Sequence, residues 1–402
     1  MRQKLNQQRE QFVHLDIELD FAVSKGMSEK LLQFLSATSH ETPFLVLDLD
    51  LVVDRYREIK NVLPDVDIYY AVKANPANEI VAALSKKGCS FDIASIAEME
   101  ACVRLGIGAD RMSYGHTIKK ETDIAKAHAA GIDLFAFDSA AELEKLARAA
   151  PGSRVYCRLV TKGEGSDWPL SKKFGCKTEM AEDLLLRSQG YGLRPHGISF
   201  HVGSQQTDPE QWDAAISEAA ALFRALDRKG VRLELVNLGG GLPARYLNAL
   251  PTTTRYGEAI MASMHKHFGN QMPKMILEPG RGLVGDAGVI QTEVVLIADR
   301  HNGKTARWVY LDIGKFGGLP ETIGEAIKYR ITTPRDGCET EPSIIAGPTC
   351  EELDVLYEHT PYPLPRSLQV GDRIEIQSAG AYTWSYSAVC FNGIRPLKQH
   401  II

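Results

Sequence analysis

The stretch Tyr69-Tyr70-Ala71-Val72-Lys73-Ala74-Asn75-Pro76 is the point from which the fold of this chain can be worked out. The run Ile68–Val72 combines β-branched and aromatic residues, which is typical of a buried strand, and Pro76 prevents its simple continuation. Lys73 therefore stands at the mouth of a buried strand, where an ammonium group is costly unless it is solvated, paired or used covalently. A lysine that snorkels to solvent is the commonest explanation of such a position. The rest of the chain decides between these interpretations.

A regular alternation of strands and helices surrounds this stretch. Eight short apolar runs have the composition of buried strands: Ile68–Val72, Ser90–Ala94, Arg111–Tyr114, Leu134–Phe137, Val155–Val160, Gly197–Val202, Leu235–Leu238 and Met275–Leu277. Helical patterns lie between most of them: Glu79–Lys86, Ile96–Leu105, Lys120–Ala130, Ala140–Ala149 and Trp212–Lys229. The count, the length and the alternation predict an α/β fold with a (β/α)8 TIM-type barrel. A doubly wound parallel sheet has the same local signals and stays open as an alternative.

The pattern changes after Gly288. Strand-like runs without regular intervening helices follow, at residues 289–296, 307–311, 342–346 and 373–376. Strands in that arrangement predict a C-terminal antiparallel β domain. Upstream of the alternation, Pro43–Asp48 reads as a first strand, Leu49–Val62 as a helix, and Met27–Leu35 as an amphipathic segment.

Composition excludes several classes of protein. The 402 residues are 44% hydrophobic and 24% charged, which is typical of a globular chain of about two domains. A formal net charge of -5 gives no reason to expect nucleic acid or an anionic membrane as partner. We find neither a span of about 18 apolar residues nor a secretory h-region. The seven cysteines lack metal-ligand spacing, so we expect no metal site and a reducing, cytoplasmic compartment.

Two glycine-rich loops follow the last two predicted barrel strands. They are Gly239-Gly240-Gly241 and Glu278-Pro279-Gly280-Arg281-Gly282. In a (β/α)8 barrel the active site lies at the C-terminal ends of the strands, and phosphate is often held by the loops after strands 7 and 8. Glycines let backbone N–H groups approach an anion closely, and Arg281 adds a fork of donors. These loops therefore indicate a phosphate site.

Other chemically active side chains fall on the same rim. The first strand ends in Lys73, the second carries Asp92, the sixth ends in His201 and the eighth in Glu278. An amine, a carboxylate, a flat ring and a phosphate pocket together suit pyridoxal phosphate. The lysine forms a Schiff base, a carboxylate keeps the pyridine nitrogen protonated, and a histidine can stack on the ring.

Six motifs resemble the alanine-racemase-fold (fold type III), pyridoxal-phosphate-dependent decarboxylases of basic amino acids. They are Tyr70-Ala71-Val72-Lys73-Ala74-Asn75, Phe91-Asp92-Ile93-Ala94-Ser95, His201-Val202-Gly203-Ser204-Gln205, Gly239-Gly240-Gly241, Glu278-Pro279-Gly280-Arg281 and Gly347-Pro348-Thr349-Cys350. The segment Asp312-Ile313-Gly314-Lys315-Phe316-Gly317-Gly318 makes the bacterial ornithine/lysine decarboxylases the nearest group. The resemblance runs from about residue 40 to the C-terminus, in order and at compatible spacing.

The resemblance implies a domain organisation. Residues 43–283 are expected to form the cofactor-binding barrel, and residues 26–42 with 284–402 a β domain that contributes to a homodimer interface and to the active site. Residues 1–25 are expected to be an N-terminal extension without a role that the sequence supports.

The resemblance also implies a role for each matching residue. Lys73 would carry the Schiff base, Glu278 would pair with the pyridine nitrogen, and His201 would stack on the ring. The expected phosphate ligands are Ser204, Gly240, Gly241, Gly280, Arg281 and Tyr382. The groups that would position Lys73 and the ring are Asp92, Glu98 and Arg158. Cys350, from the partner subunit, would protonate the substrate Cα after CO2 leaves.

Cys350 has an independent rationale because a glycine-proline turn presents its thiol at a loop tip. The other six cysteines are expected to be buried and inert.

Two acids of the family bind the distal ammonium of the substrate. Asp312 matches the first, and Glu351 occupies the second position, where the ornithine/lysine enzymes normally carry aspartate. The extra methylene reaches about 1.5 Å deeper and would favour ornithine or a shorter diamino acid over lysine. Trp384 is a further departure, which either fills the core of the β domain or lines the pocket.

The favoured function is decarboxylation of L-ornithine, with L-lysine as a second candidate, giving putrescine or cadaverine in polyamine biosynthesis. The alternatives keep the fold and change the substrate to diaminopimelate, diaminobutyrate or another diamino acid. A racemase is disfavoured because the Cys350 motif matches decarboxylases. An inactive regulatory homologue is expected to lose Lys73 or Cys350, and both are present.

Overall fold

The computed structural model describes residues 27–37, 39–170, 172–300 and 307–402. The expected extension, residues 1–25, lies outside this part of the chain. The described residues form two compact units, one within residues 49–285 and 380–385, and the other within residues 27–48, 286–379 and 386–402. We refer to them as the barrel unit and the β unit.

The described residues contain eighteen strands. In chain order they are β1 Phe44–Leu47, β2 Val66–Ala71, β3 Ser90–Ile93, β4 Met112–Tyr114, β5 Leu134–Phe137, β6 Arg154–Arg158, β7 Ser166–Trp168, β8 Arg194–Ser199, β9 Ser204–Gln206, β10 Leu235–Asn237, β11 Lys274–Leu277, β12 Gly288–Asp299, β13 Arg307–Leu311, β14 Ile331–Thr332, β15 Thr340–Ala346, β16 Val355–Pro365, β17 Arg373–Gln377 and β18 Lys398–Ile401.

The same residues contain ten α-helices. They are α1 Glu29–Ala37, α2 Leu49–Val62, α3 Asn78–Lys86, α4 Ile96–Arg104, α5 Glu121–Ala129, α6 Ala140–Ala149, α7 Thr178–Gly190, α8 Trp212–Asp227, α9 Thr253–Phe268 and α10 Arg281–Val284. No helix among the described residues is long and apolar enough to cross a membrane.

Eight parallel strands of the barrel unit close into a barrel. The order is β2-β3-β4-β5-β6-β8-β10-β11, and β11 pairs with β2, with Ile276 opposite Asp67. Closure confirms the (β/α)8 barrel and excludes the doubly wound sheet. One buried cluster contains Leu134 and Ala136 of β5 with Tyr156 of β6, so alternate residues of these strands pack on one face. This arrangement brings the C-terminal strand ends, where the predicted site residues lie, onto one rim.

Local signals explain the helices that separate the strands. Ser95 accepts a hydrogen bond from the Glu98 N–H, and Ser139 accepts one from the Glu142 N–H, so each serine caps the start of its helix. Thr252 caps α9 in the same way through the Arg255 N–H. Each cap satisfies one of the N–H groups that the first turn of a helix leaves free.

The β unit is built on one eight-stranded sheet. Its main path is β14-β17-β12-β13-β15-β16, and β1 pairs with both β12 and β18. Most pairs are antiparallel, as the sequence predicts, but β13 with β15 and β1 with β18 are parallel.

The segment Phe44–Leu47, which we assigned to the barrel by starting that domain at residue 43, belongs to the sheet of the β unit. It pairs antiparallel with β12, with Val46 opposite Val289, and all four of its residues are buried. A four-residue apolar strand gives no local signal of which sheet it will join.

Candidate active site

Lys73 lies just beyond the first barrel strand. Strand β2 ends at Ala71 and Lys73 sits in a single 3-10 turn, Val72–Ala74, so the strand ends one residue earlier than the sequence predicts. The side chain is 50% exposed, and its Nζ lies 3.1 Å from Asp92 Oδ2. Partial burial disfavours the charged amine, but the carboxylates of Asp92 and Glu278 outweigh this effect and raise the pKa of Lys73. Lys73 is therefore an ammonium group paired with Asp92, and not a lysine that only snorkels.

Asp92 is a buried carboxylate on β3. An ideal Cβ on Gly115 would lie 2.0 Å from Asp92 Oδ1, so the glycine after β4 leaves room for the carboxylate. Asp92 Oδ1 has no hydrogen-bond partner among the described residues. Because an unpaired buried oxygen is costly, this atom marks a place where a donor outside the chain can bind. Glu98 is close by, and its side chain accepts a hydrogen bond of 2.6 Å from the Ala94 N–H.

Glu278 follows β11 and is held by an asparagine that the sequence analysis missed. Asn237, the last residue of β10, donates its side-chain Nδ2 to Glu278 Oε1. Its Oδ1 accepts a hydrogen bond of 2.9 Å from the Gly239 N–H, so the amide can present only its NH2 group to the glutamate. Burial and the nearby Asp92 raise the pKa of Glu278 to about 8, against the lowering effect of Lys73. A polar residue at the end of a buried strand, two positions before a glycine triplet, is the signal that could have identified Asn237.

His201 contributes a neutral ring to the same rim. It lies two residues beyond the end of β8, and its Nδ1 accepts a hydrogen bond of 3.1 Å from the Gly203 N–H. Burial, and then the positive charges of Arg158 and Lys73, hold the pKa of His201 well below its usual range. An ideal Cβ on Gly240 would lie 3.0 Å from His201 Nε2, so the glycine lets the backbone of the triplet pass close to the imidazole.

Arg158 is the last residue of β6 and lies within electrostatic range of Glu278, Asp92 and His201. Its guanidinium carbon is 5.5 Å from the centre of the Phe174 ring. The aromatic face and the acids together compensate the positive charge at this rim.

A cradle of donors surrounds Arg281, which is 3% exposed. Arg281 Nη2 donates a hydrogen bond of 3.1 Å to Ser204 Oγ, and the guanidinium carbon of Arg281 lies 5.0 Å from the centre of the Tyr382 ring. An ideal Cβ on Gly280 would meet Tyr382 Oη at 3.0 Å, and Gly241 has a φ of +118°, which favours glycine. Backbone N–H groups, a hydroxyl and a buried guanidinium in one place are the donors that bind a phosphate.

Tyr246 is a second residue that the sequence analysis missed. Arg281 Nη1 donates a hydrogen bond of 2.7 Å to Tyr246 Oη, and the tyrosine is buried. This contact fixes the guanidinium that also holds Ser204. The only sequence signal is an aromatic residue five positions after the glycine triplet, in an otherwise irregular loop, and that signal is weak.

The remaining predicted site residues lie in the β unit. Asp312 directly follows β13 and is half-buried, with its Oδ1 accepting a hydrogen bond of 3.0 Å from the Glu293 N–H. Cys350 and Glu351 are both exposed, on the turn between β15 and β16. The structure thus places twelve of the predicted residues in the barrel unit and these three on the other unit.

The turn that carries Cys350 is organised by Asp354, which is 2% exposed. Asp354 Oδ2 accepts hydrogen bonds from the Thr349 N–H at 3.2 Å and from Thr349 Oγ1 at 2.7 Å, while Oδ1 accepts one of 2.7 Å from the Lys315 N–H. An ideal Cβ on Gly347 would lie 2.3 Å from the same carboxylate. The Cys350 N–H donates to Asn392 Oδ1 at 3.1 Å. The backbone of the turn is therefore fixed while the thiol stays exposed.

Outside the barrel rim the structure contradicts the expectation for two cysteines and removes one of the two alternatives for Trp384. Cys338 and Cys390 are exposed, whereas the other four cysteines outside the Cys350 motif are buried as expected. Trp384 belongs to the barrel unit and is half-buried, so it does not fill the core of the β domain.

Comparisons with known proteins agree with this geometry. A family model described as pyridoxal-dependent decarboxylase, pyridoxal binding domain, matches residues 49–285. The chain is 34% identical over 369 residues to a lysine/ornithine decarboxylase from Selenomonas ruminantium, and the match covers 91% of each protein. A solved lysine/ornithine decarboxylase from Vibrio vulnificus, complexed with putrescine, is 30% identical with a TM-score of 0.82 over 94% of this chain and 99% of that one. The arginine decarboxylase of Paramecium bursaria Chlorella virus, bound to agmatine, is 27% identical with a TM-score of 0.84 over 93% and 99%.

Pyridoxal phosphate, the cofactor of that family, fits the donors on the barrel rim. The cradle of Arg281, Ser204 and glycine N–H groups suits a doubly charged phosphate, and Asp92, which pairs with the Lys73 amine through Oδ2, leaves Oδ1 unpaired among the described residues. The chain belongs to the pyridoxal-phosphate-dependent decarboxylases of basic amino acids with the alanine-racemase-like fold.

Proposed function

We propose that this enzyme decarboxylates L-ornithine, with L-lysine as a second substrate, and so produces putrescine and cadaverine for polyamine biosynthesis in the cytoplasm. The observation that carries the proposal is Asp312, a half-buried carboxylate whose charge no lysine, arginine or histidine of the described residues neutralises in an ion pair. A carboxylate of this kind attracts the distal ammonium of a diamino acid. The relatives named lysine/ornithine decarboxylase support the same substrate class.

The barrel residues would bind the cofactor and hold its charges. Lys73 would bond covalently through Nζ to the aldehyde carbon, with Asp92 and Glu98 positioning the amine, and Arg281 with its neighbours would hold the phosphate. When bound, pyridoxal phosphate supplies an electron sink for the electron pair that the Cα–carboxylate bond releases. Glu278 is oriented by the side-chain amide of Asn237. Its carboxylate would accept a hydrogen bond from the pyridine nitrogen of the cofactor and so stabilise a proton on that nitrogen.

The neutral ring of His201 would cover one face of the site and exclude water from it. The low pKa of this histidine suits that role, since an imidazolium would repel the positively charged ring nitrogen and the Arg158 guanidinium. Gly240 leaves room for the imidazole, because a side chain at this position would crowd His201 Nε2.

The loops of the β unit would complete the reaction. Asp312 and Glu351 would bind the distal ammonium, and the Cys350 thiol would deliver a proton to the Cα atom after CO2 has left. The exposed position of Cys350 at a turn with a fixed backbone supports delivery to a second subunit. We therefore infer a homodimer in which the partner subunit's Cys350 serves each barrel. The exposed apolar side chains of Leu353, Val389 and Phe391 suit burial in such an interface.

A panel of substrates tests the proposal directly. We expect the holoenzyme to release CO2 fastest from L-ornithine, more slowly from L-lysine, and at background rates from L-arginine, L-2,4-diaminobutyrate and meso-diaminopimelate. A preference for one of the last three would identify a different physiological substrate on the same fold. Absence of turnover on all five, in a preparation that binds the cofactor, would instead support an inactive regulatory protein.

A second candidate function, decarboxylation of another diamino acid, is favoured by Glu351. The longer side chain stands where the ornithine/lysine enzymes normally have aspartate, and it would shorten the cavity for the distal amine. We predict that Glu351→Asp shifts the ratio of kcat/KM for ornithine over lysine toward lysine by about threefold to tenfold, since one methylene is worth about 1 kcal/mol. Glu352→Asp, the adjacent exposed acid, is the control and should leave the ratio unchanged. An unaltered ratio in Glu351→Asp would show that this residue does not set the length of the pocket.

A further inference from the structure

Thr292 is a buried hydroxyl in the middle of the β unit. It lies on β12, which pairs with β17 on one side and with β13 and β1 elsewhere along its length, and its side chain is fully buried. In the register with β17 it stands opposite Ile374. A buried hydroxyl on a strand needs a hydrogen-bond partner, because leaving it unpaired is costly.

The partner of this hydroxyl is Asp312. Thr292 Oγ1 donates a short hydrogen bond to Asp312 Oδ1, and the Glu293 N–H donates to the same oxygen at 3.0 Å. The Asp312 N–H in turn donates to the Glu293 carbonyl at 3.1 Å. The side chain of Asp312 is therefore bonded to two consecutive residues of a central strand, and its backbone is bonded to the second of them.

Two donors on one carboxylate oxygen determine where the other oxygen points. Asp312 Oδ1 is used by β12, whereas no hydrogen bond or ion pair to Oδ2 is formed by the described residues. A carboxylate that is free to rotate would have to be ordered when a ligand binds, at a cost in conformational entropy. The contacts from β12 remove that cost beforehand, because a site built on a strand holds its geometry.

We propose that Thr292 is a positioning residue for the distal ammonium of the substrate, acting through Asp312. This inference rests on the proposed function, in which Asp312 binds that ammonium. The Thr292 hydroxyl fixes Oδ1, so that Oδ2 is presented to the cation in one orientation. The effect belongs to binding of the distal amine and not to the chemistry at Cα.

The test is the isosteric substitution Thr292→Val in the holoenzyme, which removes the hydroxyl and keeps the shape. We expect the Kd for putrescine, measured by calorimetry, and the KM for ornithine to rise roughly tenfold, as expected for the loss of one hydrogen bond to a charged group. The kcat should stay within about twofold, since the interaction is equal in ground and transition states. The Kd for L-norvaline, which has the carbon chain of ornithine without the distal ammonium, should not change.

Two further variants separate positioning from packing. Thr292→Ser keeps the hydroxyl and should restore the putrescine Kd. Thr332→Val removes another buried hydroxyl of the β unit, which donates to Glu375 Oε2 at 3.2 Å, and it should leave the putrescine Kd unchanged. If Thr292→Ser weakened binding as much as Thr292→Val, or if Thr332→Val weakened it equally, the effect would be packing and the inference would be wrong.

Asp312→Ala distinguishes failure of the inference from failure of the proposed function. We expect it to weaken putrescine binding more than Thr292→Val does. If Asp312→Ala weakens binding while Thr292→Val binds as tightly as the parent protein, the function stands and the role of Thr292 is refuted. If Asp312→Ala leaves binding unchanged, Asp312 does not recognise the distal ammonium, and the proposed substrate recognition fails together with the inference.

Discussion

The barrel unit and the β unit carry their chemically active side chains in opposite ways. On the barrel rim the charged groups are largely buried and joined to one another, as in Lys73 with Asp92 and Arg281 with Ser204. On the β unit, Cys350 and Glu351 are exposed at the tip of a turn. The polar residue that organises that turn, Asp354, is the one that is buried.

This difference fits the roles that we propose for the two sets of residues. A cofactor that stays bound through many turnovers is held best by a rim whose charges are compensated and whose side chains are fixed before the cofactor binds. A substrate that enters and leaves each cycle must reach its binding groups from solvent. Substitutions on the barrel rim should therefore change cofactor binding, whereas those on the β unit should change turnover or selectivity and leave the cofactor bound.

The sharpest test of this division is Lys73→Ala. We expect it to abolish the visible absorbance of the bound cofactor and to lower kcat on the order of 10⁴-fold or more, the upper end of what one positioned proton-transfer group contributes. The measurements are the absorption spectrum and CO2 release of the purified variant. Lys229→Ala removes a surface lysine that pairs with Glu182 and should leave both unchanged. A Lys73→Ala protein that kept the visible band would place the covalent amine elsewhere.

Cys350→Ala is the matching test on the β unit. The visible band should stay, because no barrel contact changes, while turnover to putrescine falls about 100-fold, the lower end for loss of a general acid. Some turnovers should end with the proton on the wrong carbon, which product analysis by mass spectrometry would detect as a carbonyl compound. Cys338→Ala removes another exposed thiol of the same unit and is the control. Normal turnover and product from Cys350→Ala would contradict the role of this residue.

The sequence predicts the eight barrel strands within a few residues because periodicity and composition are local. Closure of the barrel was established only by the pairing of β11 with β2, since a doubly wound sheet has the same number and alternation of local signals. Assignment of Phe44–Leu47 failed because the choice between two sheets depends on pairing with β12, which is more than 240 residues away. Long-range pairing has no signature in a four-residue apolar strand.

The candidate site divides in the same way. Motifs predicted the residues at strand ends and in glycine-rich loops, and the structure places twelve of the predicted site residues in one unit. Asn237 and Tyr246 were missed because their importance comes from what they touch, Glu278 and Arg281, and not from a recognisable pattern. Asp354 was missed for the same reason, since its three donors come from two separate loops. Whether the roles assigned to the motif residues are correct is decided by the substitutions.

The buried Glu278 of the barrel unit should make the free energy of unfolding depend on pH, which an exposed acid of the β unit should not do. Burial and Asp92 raise its pKa to about 8 in the folded protein, whereas an unfolded glutamate titrates near 4.3. Between these values the folded apoprotein holds a proton that the unfolded chain has lost, so the free energy of unfolding falls as pH rises. We expect a loss of roughly 3 kcal/mol between pH 6 and pH 9 from this group.

Urea unfolding of the apoprotein, followed by tryptophan fluorescence at both pH values, measures this loss. Glu278→Gln should flatten the pH dependence by that amount, because the amide does not titrate. Glu351→Gln removes an exposed acid of the β unit and should leave the slope as it is in the parent protein. Equal slopes in the parent and in Glu278→Gln would mean that Glu278 is ionised in the apoprotein and that its environment is less apolar than its burial indicates.

Tyr246→Phe is expected to have the smallest effect of the four, and it tests whether the cradle is organised before the cofactor arrives. The substitution removes the hydroxyl that accepts the 2.7 Å hydrogen bond from Arg281 Nη1. It keeps the aromatic ring, whose centre lies 5.8 Å from the guanidinium carbon. Cofactor affinity should fall about tenfold, as expected when a buried charged donor loses one partner. Titration of the apoprotein with pyridoxal phosphate gives the Kd. The control is Tyr256→Phe, which removes the hydroxyl of another buried tyrosine, one that donates to the Gln206 carbonyl.

A Kd for Tyr246→Phe equal to that of the parent protein would mean that the other contacts of Arg281 hold it without Tyr246. The phosphate cradle of the barrel rim would then not require the hydrogen bond between Arg281 and Tyr246.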